Sequence, residues 1–118
     1  MTSAVTAKSW RVTPEKVDAA VRRIIEVARP SKLIIFGSYI SNQADINSDV
    51  DFLVITGREI ENTRKESVRI RRALRGIGMP MDILVVPERK WVELKDEPGL
   101  IYREAMRKGR VVYESKES

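Results

Sequence analysis

Asp49 and Asp51 stand two residues apart at the head of the apolar run VDFLVIT, and Asp82 stands one residue inside a second such run, MDILVV. On an extended strand, residues two apart share a face about 6.6 Å from one another, and a neighbouring strand lies about 4.8 Å away. If the two runs are adjacent strands, the three carboxylates meet at one end of a sheet. Oxygen donors of this kind match hard divalent cations, and two such ions about 3.5–4 Å apart can serve an in-line displacement at phosphorus. Magnesium is the natural ion, because the chain has no cysteine and no histidine and so offers neither thiolate nor imidazole. The same absence excludes disulfides, Cys-ligated zinc and the commonest general base.

A carboxylate cluster has a cost. At about 6.6 Å and an effective dielectric near 20, two like charges repel by roughly 2.5 kcal/mol, falling below about 1 kcal/mol in water. The cluster is tolerable at a wet strand end and unfavourable inside, where Val or Ile at position 51 would serve stability better. Each part also has a plainer explanation. Asp49 suits a turn after Asn47-Ser48, and Asp82 suits the polar start of a strand. Gly37-Ser38, which closes the run KLIIF, can offer backbone N–H groups and a hydroxyl to a phosphate, or can simply turn the chain with Ser38 as an N-cap.

The elements that must position these residues follow from periodicity. Thr13-Pro14-Glu15 is a helix start, and Val17, Val21, Ile24, Ile25 and Ala28 recur at helical spacing until Arg29-Pro30 stops them. Lys32–Phe36 predicts a strand covered on both faces. Residues 38–44 allow one or two helical turns. A second strand is predicted over Asp49–Ile55, with Val50, Phe52 and Val54 on one face and Asp49, Asp51, Leu53 and Ile55 on the other. Asn62 caps a helix running to about Gly76, with Ser67, Ile70, Leu74 and Ile77 inward and Arg64, Lys65, Arg69, Arg71, Arg72 and Arg75 outward. Met81–Val86 reads as a third strand ended by Pro87. Helices are predicted over 88–96 and 99–108, the second stopped by Gly109, and a last strand over 110–113. Helices alternating with strands in this order predict an α/β (α+β) fold, a small mixed β-sheet with helices packed on it.

Bulk properties bound the function. With 118 residues, the chain is expected to hold one domain over 13–113, between a flexible N-terminal segment, 1–12, and a polar tail, 114–118. One core of this size leaves no room for a second substrate-binding lobe, so a partner is expected to supply it. Hydrophobic residues at 42% and charged residues at 33% suit a globular chain rather than a disordered one. No membrane span or signal peptide is expected, and the protein is read as cytoplasmic. A formal charge of +5 favours anionic partners, nucleotide or nucleic acid. Trp10, Trp91 and Tyr102 suit either interface anchors or core packing.

Gly37-Ser38, ten residues, Asp49-x-Asp51 and then a strand-borne Asp82 together resemble the nucleotidyltransferase superfamily typified by DNA polymerase beta, and within it the minimal nucleotidyltransferases. The match covers about Thr13 to Val86. This resemblance implies that Gly37 and Ser38 contact the triphosphate of a bound NTP, ATP foremost. It implies that Asp49 and Asp51 bind two Mg²⁺, and that Asp82 completes the metal site and accepts the proton of the attacking hydroxyl. The implied activity is Mg-dependent transfer of a nucleoside monophosphate to a hydroxyl of a protein or nucleic acid. The implied partner is a small helical HEPN-type protein in a toxin-antitoxin pair; homo-oligomerisation is left open. Tyr39-Ile40-Ser41-Asn42 follows the Gly-Ser where many relatives have Arg, which leaves Lys65, Arg69 or a partner residue to meet the phosphates. The alternative is a non-catalytic, antitoxin-like binding subunit with a vestigial metal-nucleotide site.

Overall fold

The computed structural model describes residues 12–36, 49–57, 62–94 and 109–115. In chain order these form α1 (Pro14–Ala28), β1 (Lys32–Phe36), β2 (Val50–Thr56), α2 (Thr63–Ala73), β3 (Met81–Pro87), α3 (Glu88–Leu94) and β4 (Arg110–Glu114). The predicted helix over 99–108 lies outside the described residues, as does Ser38–Ala44.

Local signals set the helix ends. Thr13 Oγ1 accepts from the Lys16 N–H at 3.1 Å, and Pro14 occupies the first turn, where its missing N–H is not needed. At the other end Arg29 turns into the left-handed region, φ 45°, because the ring of Pro30 disfavours a right-handed helical conformation just before it. In α2, Asn62 Oδ1 accepts from the Lys65 N–H at 3.0 Å. This helix ends at Ala73 rather than near Gly76, and residues 74–76 form turns that lead to Gly76 and Gly78, both at positive φ.

The four strands form one mixed sheet in the order β3-β2-β1-β4. β2 and β3 are parallel, which requires the crossover that α2 supplies. β1 is antiparallel to both β2 and β4, with a shift in the β4 register between Leu33 and Ile34. Alternation along the strands sorts the apolar residues into two clusters. The larger joins Leu33, Ile35, Val50, Phe52, Val54, Ile83 and Val85 to α1 and α2 through Ala20, Ile24 and Ile70, and to Leu74 at the end of α2. On the opposite face Ile34, Leu53, Ile55 and Val86 pack with Trp91 of α3. Trp91 is thus buried, a packing residue rather than an exposed anchor; Trp10 and Tyr102 lie outside the described residues.

Polar side chains fasten the two long helices antiparallel. Arg23 donates to the carbonyls of Ala73 and Arg75 at 3.2 and 2.8 Å, filling acceptors that a helix end leaves open. Arg69 donates to Val27 O at 2.8 Å and grips the buried Glu66 through two nitrogens at 2.9 and 2.7 Å, the fork geometry that suits guanidinium to carboxylate. Among the described residues no helix is long and apolar enough to cross a membrane.

Candidate functional site

The site is built at the end of the sheet where β2 and β3 begin and β1 ends. Ladder register places Asp51 beside Asp82 on one side and beside Phe36 on the other. Like charges directly opposite one another on adjacent strands are unfavourable, so this pairing is not explained by sheet stability. Alternation puts both carboxylates on the face of Leu53, Ile55, Leu84 and Val86, at the margin of the smaller apolar cluster. Burial there pushes the Asp51 carboxyl above the usual carboxylate range, and the negative charges of Asp82 and then Asp49 push it further.

Asp49 occupies a different position from the one predicted. β2 begins at Val50, whose N–H donates to Pro80 O at 3.0 Å, and Asp49 sits exposed just before the strand. It lines a cleft of about 280 Å³ with Arg71, Leu74, Met79, Pro80, Met81 and Ile83. The cleft therefore lies between the start of the parallel pair and the last turn of α2.

Arg71 is the functional-site candidate that the sequence reading placed on the outward basic face. Its guanidinium donates to Asp82 Oδ1 at 2.8 Å, in an ion pair half-exposed on both sides. The crossover explains the meeting. α2 must run back along the strands it connects, so Ser67 in its middle donates to Ile83 O at 3.3 Å while Arg71, one turn later, arrives at the start of β3. The available signal was the basic last turn of a helix linking two parallel strands.

Elsewhere on the basic face, Arg64, Lys65, Arg69 and Arg72 surround the exposed Val68 in an open groove. Of these, Arg69 is committed to Glu66 and Val27.

The carboxylates suit a hard divalent cation by type: all donors are oxygen, two are neighbours in register, and the strained ionisation of Asp51 is the state that a dication offsets. Their present positions do not form a complete set of ligands. Among the described residues no group of three or more acidic side chains is close enough together to hold a metal ion, and Asp82 is turned to Arg71. Gly37, Ser38 and Tyr39 lie outside the described residues. The last described residue before them, Phe36, is the register partner of Asp51.

Residues 21–118 match the family model described as Polymerase beta, Nucleotidyltransferase. None of the curated proteins matches the chain. Among solved structures, the fold is similar to that of a candidate nucleotidyltransferase from Sulfolobus solfataricus. That likeness has a TM-score of 0.55 at 17% identity, covering 91% of this chain and 94% of the other. A second similar structure is a toxin-antitoxin with AMP-PNP, with a TM-score of 0.52 at 17% identity, covering 83% of this chain and 73% of that one. At such identity the structural likeness is one of fold.

Proposed function

The chain belongs to the Polymerase beta nucleotidyltransferase family, and from that premise we propose that it transfers a nucleoside monophosphate, AMP from ATP, to a hydroxyl of a protein or nucleic-acid acceptor. The observation that carries this reading is the pairing of Asp51 with Asp82 at the sheet end, a charge arrangement that costs stability and matches the metal chemistry of the family. Asp51 and Asp82, with Asp49 from the segment before β2, are the proposed ligands of magnesium. When bound there, the ion would supply charge neutralisation at the transferring phosphoryl group and on the leaving pyrophosphate.

This chain's own residues then have three tasks. Asp51 is held by the ladder on both sides, so its carboxylate is presented from a rigid strand rather than from a loop. Asp82, exposed at the start of β3 where it meets Arg71, is proposed to accept the proton of the attacking hydroxyl. Gly37 and Ser38, which follow Phe36 in the chain, are proposed to bind the triphosphate through backbone N–H groups and the Ser hydroxyl. The acceptor oxygen bonds to the α-phosphorus as the bond to pyrophosphate breaks.

The test is transfer of label from α-labelled ATP to a co-purifying acceptor. Asp51→Asn and Asp82→Asn should each lose roughly 10²-fold or more of the rate, and full labelling by both variants overturns the proposal.

A second reading is supported by the fold shared with a toxin-antitoxin: the chain acts as a binding subunit that neutralises a small helical HEPN-type partner by covering it. Under that reading an Asp51→Asn, Asp82→Asn double variant still forms the complex and still neutralises. Loss of neutralisation with the complex intact favours transfer instead.

A further inference from the structure

We propose that Arg71 is a positioning residue that holds the Asp82 carboxylate in exchange with a divalent cation, an inference that rests on the metal-dependent reading above. Arg71 is the one hydrogen-bonding or ion-pairing partner of Asp82 among the described residues, at 2.8 Å. The contact is made across the sheet margin. Asp82 belongs by alternation to the face of Leu84 and Val86, whereas Arg71 belongs to α2, which packs on the opposite face through Ile70 and Leu74. The guanidinium that pairs with Asp82 also lines the cleft that Arg71 shares with Asp49. Asp51, its register neighbour, is left without that partner.

Two physical features make this contact an exchange rather than a fixed brace. Both side chains are about half exposed, 50% and 65%, and ion pairs with that much water around them are weak and readily opened. A dication brings twice the charge of a guanidinium to the ladder end where Asp51 and Asp82 are register neighbours, so at equal distance its Coulomb attraction to the pair is the larger. Without an ion, Arg71 neutralises Asp82, one of the two like charges paired in the ladder; a bound cation would take over that neutralisation and release the Asp82 carboxylate from Arg71. Neighbouring cations do not share this role: Arg72 lines the separate groove around Val68, and Arg69 is bound to Glu66.

The experiment measures Mn²⁺ affinity of the full chain by the spin-resonance signal of the free ion, without nucleotide or acceptor. Arg71→Ala should bind Mn²⁺ roughly two- to five-fold more tightly than the natural chain, the span expected for a half-exposed ion pair. Arg71→Lys should lie between the two. In an Asp82→Asn background, Arg71→Ala should make no difference, because the residue acts through that carboxylate. Arg72→Ala removes the same charge from the same helix without touching Asp82, and should give a smaller change. Equal or weaker affinity in Arg71→Ala overturns the exchange, and so does a tightening that persists in Asp82→Asn or is matched by Arg72→Ala. Asp51-dependent Mn²⁺ binding that ignores Arg71 overturns the exchange alone. Absence of Mn²⁺ binding by every chain overturns both the exchange and the metal-dependent reading.

Discussion

At one end of the β2–β3 ladder Asp51 stands opposite Asp82; towards the other end Val54 stands opposite Val85 and Ile55 opposite Val86. The backbone pairing is the same throughout. Only the side chains differ, and they place the two ends in different environments: Val54, Ile55 and Val86 are almost fully buried, whereas Asp82 is exposed and Asp51 intermediate. A single ladder thus serves as both scaffold and site, and its apolar part supplies the stability that the charged part gives up.

The apolar part of the ladder is where a substitution should do the most damage. Phe52 is fully buried between the sheet and the long helices, and Phe52→Ala should cost about 3–5 kcal/mol in chemical denaturation. A loss below about 1 kcal/mol would mean that the apolar part does not carry the ladder. The helix brace comes next. Arg69→Ala removes the fork from Glu66 and the tie to Val27, and should cost roughly 1–2 kcal/mol.

The smallest effect has the opposite sign. Asp51→Asn removes a like charge from the pairing with Asp82 and should stabilise the fold by roughly 0.2–1 kcal/mol at neutral pH. Because the folded-state pKa of Asp51 is raised, the natural chain is relieved of this penalty below the ordinary aspartate range and acquires it as pH rises through the raised value. The advantage of the Asn variant should therefore be largest at neutral pH and vanish in acid. A variant less stable than the natural chain at neutral pH would show that Asp51 is a structural residue.

Much of this arrangement was legible in the sequence. The capping signals at Thr13 and Asn62 mark the starts of their helices, and the strands predicted over 32–36, 49–55 and 81–86 lie within a residue of their observed bounds, because caps and alternation are local physics; the end of α2 is the exception, three residues short of Gly76. The meeting of Asp51 with Asp82 was legible only as a condition, since register depends on how far the crossover carries the chain. Asp49 falls outside β2 because the ladder begins with Val50. Arg71 was misread for a related reason. Helical periodicity tells which face a residue occupies, but not which strand end lies beneath the last turn. The place of β4 beside β1 was also hidden, because five residues of modest hydrophobicity do not specify a partner.

β3 lies at the margin of the sheet, and among the described residues no strand pairs with its outer side. Its last residue is Pro87, which lacks an N–H and is tolerated in strands chiefly at such margins. Asp82 sits near the other end. A charge and a proline at opposite ends of an edge strand are devices that discourage two copies from joining edge to edge. Asp82 therefore bears on colloidal behaviour as well as on chemistry. Asp82→Asn removes one of the two guards, so light scattering belongs beside every rate measured on that variant, to separate lost transfer from lost monomer.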